Sequence, residues 1–233
     1  MNQTIKSRIE SVRNNITQAI SKFARTENSV QLLAVSKTRT PDEITTAYNC
    51  GQTCFGESYL QEALQKIEHL KDVAIEWHFI GKIQSNKTRQ IAENFDWVHS
   101  VDKLKHAQRL NDQRPDSMSP LNICLQINID NEESKGGVDP EDAAELIQQV
   151  NQLPRIQLKG LMAIPSPTDD LDKQRVPFRK LRELRDRLTT DNMRLETLSM
   201  GMSGDIEAAI AEGSTIVRVG TAIFGPRNYK QKQ

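Results

Sequence analysis

Leu32-Leu33-Ala34-Val35-Ser36-Lys37 is a short apolar run closed by a lysine, and similar runs recur down the chain, each separated by helix-like sequence. It lacks the strict alternation of a half-exposed strand and fits a strand covered on both faces. Thr53 to Gly56, Ile75 to Gly81, Trp97 to Val101, Asn122 to Ile129, Leu158 to Pro165, Thr197 to Ser203 and Thr215 to Gly225 repeat the pattern. About eight strand-helix units is the number that closes a parallel barrel. The spacing therefore predicts an α/β fold, a single-domain (β/α)8 TIM barrel over residues 1–233. A doubly wound open sheet is the alternative that the same alternation allows. Ile5, Ile9, Val12, Ile16, Ile20 and Phe23 recur at helical spacing ahead of the first run and predict an extra N-terminal helix packed on the barrel.

Composition narrows the partners. Lys+Arg and Asp+Glu both number 31, so no net basic field gathers nucleic acid or an anionic membrane. Cys50, Cys54 and Cys124 form an odd set without CxxC spacing, and His69, His78, His99 and His106 add no metal-ligand spacing. Neither a disulfide framework nor a metal site is expected. Met1 to Asn15 lacks an apolar signal core, and no run approaches a membrane span, so the expected setting is cytoplasmic.

In such a barrel the strand carboxyl ends and the loops after them build the site. Lys37, Gly56-Glu57-Ser58, Gly81 to Lys87, Asn131 to Gly137, Ser199-Met200-Gly201-Met202-Ser203 and Arg218-Val219-Gly220-Thr221 occupy those positions. Phosphate sites of this fold often lie after the seventh and eighth strands. There Ser203-Gly204-Asp205 precedes a predicted helix at Ile206 to Ile210, which Ser203 either caps or helps aim at a phosphate. Gly220-Thr221 offers a second backbone approach with a hydroxyl, or simply a tight end to a buried strand. Arg218, between Val217 and Val219, is either a structural ion pair with a helix carboxylate or a fixed cation facing a ligand acceptor. Lys37 either snorkels into water or, desolvated, is an amine that condenses with a carbonyl. An amine and a phosphate cradle on one rim suit a ligand with an aldehyde and a phosphate, and pyridoxal 5′-phosphate (PLP) is the leading candidate. Two features read as structural. Phe178, Leu181, Leu184 and Leu188 are a helix core stripe whose Arg179, Lys180, Arg182, Arg185 and Arg187 form a solvated face, and Trp77-His78 is an aromatic beside a satisfied core histidine.

Leu33-Ala34-Val35-Ser36-Lys37, Phe55-Gly56-Glu57, Trp77-His78-Phe79-Ile80-Gly81 with Gln84-Ser85-Asn86-Lys87, Leu198 to Ser203 and Val217 to Gly225 stand in one order along nearly the whole chain. In these blocks the sequence resembles the pyridoxal phosphate homeostasis proteins, the YggS/PROSC family, which look like the barrel half of alanine racemase. The resemblance implies that Lys37 is the aldimine lysine, that Ser203, Gly220 and Thr221 hold the phosphate, and that Arg218 lies beside the pyridine nitrogen. Ser58, Ser199 and Gly201 complete the expected cofactor-binding set. Ser58 departs from the Gly-Glu-Asn usual in the family, and its side chain is shorter.

An arginine cannot accept a proton, so Arg218 beside the ring nitrogen weakens the ring as an electron sink. Racemases resembling this barrel take a tyrosine base from a second domain and partner subunit, for which Tyr48, Tyr59 and Tyr229 are no evident substitutes. The resemblance thus implies a non-catalytic PLP carrier or reservoir in vitamin B6 homeostasis, monomeric, with PLP-dependent apoenzymes as candidate acceptors. A PLP-dependent amino-acid racemase, or a PLP-independent aldolase working through Lys37, are the alternatives.

Overall fold

All eight apolar runs form strands: β1 Gln31–Val35, β2 Cys54–Glu57, β3 Glu76–Phe79, β4 Trp97–Val101, β5 Leu121–Gln126, β6 Ile156–Met162, β7 Thr197–Ser199 and β8 Ile216–Val219. The computed structural model describes residues 4–130, 136–191 and 193–226. Every strand pairs in parallel with the next, and β8 returns to β1 through Leu33 opposite Arg218 and Ala34 opposite Val219, which closes the barrel and removes the open-sheet alternative. The helices are α1 Ile5–Lys22, α2 Pro41–Asn49, α3 Leu60–His69, α4 Thr88–Asn94, α5 Leu104–Gln113, α6 Ala143–Val150, α7 Leu171–Leu188, α8 Ile206–Ala211 and α9 Thr221–Phe224.

Side-chain alternation divides the core in two. Leu32, Ala34, Phe55, Val217 and Val219 point outward and join the large cluster packed under the helices. Leu33, Cys54 and Ile216, with Ile80 against them, form a small separate cluster inside the barrel. The remaining interior is polar, because His78, His99, Ser199 and Arg218 are all buried there.

The extra helix is present as α1. Thr4 caps it by accepting from the Ser7 N–H, and Ile9, Val12, Ile16 and Ile20 are buried. Each such side chain contributes roughly 1.5–3 kcal/mol when fully removed from water. The helix packs against α2, α8 and α9, so it covers the seam where the first strand meets the last. Lys22 pairs with Glu207 at 2.7 Å, and Arg25 donates to the carbonyls of Ile210 and Ser214.

Two sequence expectations are corrected. The last two apolar runs overshoot their strands, because the backbone turns at Gly201, with φ +98°, and at Gly220, the N-cap of α9. The charged face of α7 is also not wholly solvated. Arg175, Arg179 and Arg182 converge on Glu212 at 2.8, 3.2 and 3.1 Å, and that carboxylate is only 2% exposed beneath them.

Candidate functional site

Lys37 follows the end of β1 on the inward face shared by Leu33 and Val35, and the backbone on either side of it is tied down. Thr38 has φ +65°, rare for a β-branched residue, so the chain turns sharply just past the lysine. The Glu62 carboxylate accepts the Thr38 N–H, and Lys66 Nζ donates to the Ser36 carbonyl at 2.8 Å. Lys66 is buried, bridging Glu62 and the fully buried Glu57, whose Oε1 it meets at 2.7 Å. Ser36 Oγ donates to the same oxygen at 2.7 Å. Burial pushes the Glu57 carboxyl above its ordinary range, opposed by the Lys66 charge and by hydrogen bonds from Lys66 and Ser36. Glu57 Oε2 has no hydrogen-bond partner among the described residues.

A cavity of about 280 Å³ opens above β1 and β8, and Lys37, Ser58, Ser203, Arg218, Gly220 and Thr221 all line it. Val35, Ile80, Ile164 and Met202 supply its apolar wall and mouth. Lys37 Nζ lies 3.4 Å from Ser58 Oγ, so the shorter residue at this position still reaches the amine. A Cβ on Gly220 would meet the Val35 carbonyl oxygen at 3.2 Å, so glycine permits the close approach of the two strand ends. Gly204 has open space where a Cβ would be. A larger hollow of about 560 Å³ lies at the opposite mouth, between α1 and the starts of β1 and β2. Its one arginine, Arg13, already donates to the Cys50 and Gly51 carbonyls.

Not every expected residue reaches the cavity. Ser203 is exposed at its edge but does not cap α8. That N-cap is Asp205, whose carboxylate accepts the Met202 N–H. Ser199 and Gly201 are buried and do not line the cavity. At Gly201 a Cβ would fall 2.6 Å from Ala209 Cβ, so this glycine serves the packing of α8. Asn131 to Lys135, part of the loop after β5, lie outside the described residues.

Among the described residues Arg218 makes no ion pair with a helix carboxylate. Its Nη1 donates to the Ser199 carbonyl and, at 2.8 Å, to Ser199 Oγ, while Nη2 donates to the Ala163 carbonyl at 2.9 Å. Burial pushes its pKa down to about 10, which leaves it charged at neutral pH. Cys124, beside it, is pushed up to about 12 by burial and stays a thiol. Ser199 Oγ also meets His99, and His99 meets His78. A histidine in each of two consecutive strands is the only sequence signal of that chain. The barrel also brings Cys54, Glu76 and His78 within 4.8 Å of one another, a cluster that residue spacing did not reveal. It is internally satisfied, with Glu76 Oε1 engaged by His78 Nε2 at 2.7 Å and by Cys54 Sγ at 3.4 Å.

Residues 8–228 match the family described as alanine racemase, N-terminal domain. The chain is 54% identical over 226 residues to the pyridoxal phosphate homeostasis protein of Pseudomonas aeruginosa, which spans 97% of each. Among solved structures it resembles PipY of Synechococcus elongatus PCC7942 with PLP bound, at TM-score 0.84 and 37% identity, covering 95% of this chain and 100% of that one. Alanine racemase of Clostridium difficile 630 shares the barrel at TM-score 0.72 and 14% identity, over 93% of this chain and 60% of the racemase, a likeness of fold alone.

Proposed function

Because this chain belongs to the alanine racemase N-terminal domain family and, within it, to the pyridoxal phosphate homeostasis proteins, we propose that it binds PLP in the rim cavity through Lys37 and serves PLP homeostasis as a carrier or reservoir rather than an enzyme. The observation that carries the reading is the convergence of the Lys37 amine, the Arg218 cation and the Gly220-Thr221 backbone on one cavity at the β1–β8 seam.

The lining suits the cofactor part by part. When bound, PLP supplies an aldehyde that condenses with a primary amine, losing water, on a ring that can draw electrons. Lys37 is the primary amine in the cavity, and Ser58 lies beside it to orient it. Ser203 and Thr221 offer hydroxyl donors to a phosphate, and the first N–H groups of α9 have no partner within the helix. Val35 and Ile80 give the ring an apolar bed. Arg218 presents only donors, so beside the ring it would hold the nitrogen as an acceptor.

The carrier reading is supported by what surrounds the amine. No histidine, tyrosine, aspartate or glutamate lines the cavity among the described residues, so none of these bases among them faces a bound amino acid there. Tyr59 belongs to a neighbouring hollow, Tyr48 packs against the core, and Tyr229 lies outside the described residues. A monomer over residues 1–233 in a reducing cytoplasm, with PLP-dependent apoenzymes as acceptors, is part of the same proposal. The three free thiols and the balanced charge support its setting.

Borohydride tests this directly. Reduction of the PLP-loaded protein should leave a pyridoxyl group on the Lys37 peptide, and Lys37→Ala should yield none. Wild-type protein that never retains PLP would overturn the reading. Solvent deuterium entering an amino-acid α-carbon, and lost in Lys37→Ala, would replace the carrier with an enzyme.

A further inference from the structure

A chain of side chains crosses the barrel interior from its amino-terminal mouth to the cavity. Glu76 Oε1 lies 2.7 Å from His78 Nε2, His78 Nδ1 2.9 Å from His99 Nε2, and His99 Nδ1 2.7 Å from Ser199 Oγ. Arg218 Nη1 completes it at 2.8 Å from the same hydroxyl. His78, His99 and Ser199 are fully buried, whereas the Glu76 side chain is 41% exposed.

The two ends fix the outer bonds, and the proton count of the two rings fixes those between them. Arg218 only donates, so Ser199 Oγ accepts from it and keeps one proton to give. A carboxylate only accepts, so His78 carries a proton on Nε2. Burial holds His99 well below the usual imidazole range, so its ring is neutral with a single proton. If the fully buried His78 carries a single proton as well, all the bonds form together only when both rings carry it on Nε2. Ser199 then donates to His99, His99 to His78, and His78 to Glu76. The hydrogen bond from His78 holds the Glu76 carboxyl below its ordinary range.

We propose that the buried His78 carries a single proton and that Glu76, at the mouth opposite the cavity, is thereby a positioning residue for Arg218. By accepting at the far end, it turns the Ser199 hydroxyl proton away from the guanidinium and leaves a lone pair for it. The assignment rests on the PLP reading only in that Arg218 faces the cofactor ring. A donor at position 76 reverses the chain. Both rings then carry the proton on Nδ1, His99 donates to the oxygen that already receives Arg218, and the buried hydroxyl proton loses its acceptor. The groups around the chain are few. Cys54 Sγ and Gln31 Nε2 each lie 3.4 Å from Glu76 Oε1, the Trp97 ring stacks on His78, and Cys124 and Asp205 act on Arg218.

The test uses Glu76→Lys, which places a donor at the exposed end, and Glu76→Gln, which keeps an acceptor oxygen. Ring-nitrogen NMR on the PLP-free protein reports the tautomers, and the Arg218 Nη–H signals report its exchange with water. Wild type and Glu76→Gln should show Nε2–H at His78 and His99 with slowly exchanging Arg218 protons. Glu76→Lys should show Nδ1–H at both and faster Arg218 exchange. Spectral titration should give a PLP dissociation constant raised about tenfold in Glu76→Lys and changed less than about twofold in Glu76→Gln. An Nδ1–H His99 in wild type, an unswitched His99 in Glu76→Lys, or switched rings with unaltered Arg218 exchange would each overturn the proposal. If Glu76→Lys does not fold, the wild-type tautomers alone decide it. Failure of wild type to retain PLP sinks the functional reading instead, and the PLP-free measurements still judge the chain.

Discussion

Lys66→Met should be among the most costly single changes near the site. Lys66 donates to Glu57, Glu62 and the Ser36 carbonyl, and the three losses differ in size. Glu62 is 32% exposed and finds water, so that pair contributes no more than about 1 kcal/mol. The Ser36 carbonyl loses a charged donor, worth roughly 1.5–3 kcal/mol. Glu57 dominates, because stranding a fully buried carboxylate puts the whole variant at about 3–5 kcal/mol. Protonation limits the damage and supplies the signature. Burial already raises the folded pKa of Glu57 above its unfolded value, and removing Lys66 raises it further. The folded state then binds the proton more tightly than the unfolded one, so stability falls as pH rises from the unfolded value through the folded one. The loss should therefore be full at pH 8 and smaller toward pH 5, by about 1.4 kcal/mol for each further unit of upward shift. Urea unfolding at the two pH values measures it. The double variant Glu57→Gln/Lys66→Met should recover more than half, since the amide oxygen still accepts from Ser36. A loss below about 1 kcal/mol at pH 8, or one that neither acid nor Glu57→Gln relieves, would refute the reasoning.

Glu212→Gln should cost about 1–3 kcal/mol at pH 7, moderated by the partial exposure of its three arginines. Burial pushes the Glu212 carboxyl up, but hydrogen bonds from Arg179 and Arg175 outweigh this and hold it below its ordinary range. That stability is present above the unfolded carboxylate pKa and is lost as pH falls through the folded one, so wild type and variant should converge in acid unfolding curves. Gly160→Ala would place a Cβ 1.8 Å from the Thr197 carbonyl oxygen and force β6 from β7. It should lose at least about 3 kcal/mol, and thermal melts within a few degrees of wild type would contradict this.

The barrel was legible because its signals are local. Each run that became a strand carries its own burial pattern, and Lys37 announces itself by ending one of them. The ends of β7 and β8 were not legible, since Met202 and Ala222-Ile223-Phe224 continue the apolar run past glycines that turn the backbone. Helix capping misled for a similar reason. Ser203 and Asp205 are both good N-cap residues, and only the turn that brings the Met202 N–H to Asp205 chooses between them. Glu212, Lys66 and the His78-His99-Ser199 chain were invisible because each depends on which faces of distant elements meet. Arg218 was the intermediate case. Its place in an apolar run showed that it was buried, but not that its partners would be the Ser199 and Ala163 carbonyls.

The pairing of β1 with β8 joins opposite ends of the sequence, and the cavity straddles that join. During synthesis the amine emerges first and must wait for Arg218, Gly220 and Thr221, so a nascent chain holds no part of the site in working order until the ring shuts. A molecule gripped from both sides acts as a clasp, and at a hundredfold excess over its dissociation constant it adds about 2.7 kcal/mol to closure. On the proposed function, letting the cofactor go and loosening the clasp become one motion, with α1 packed across the outside of the join.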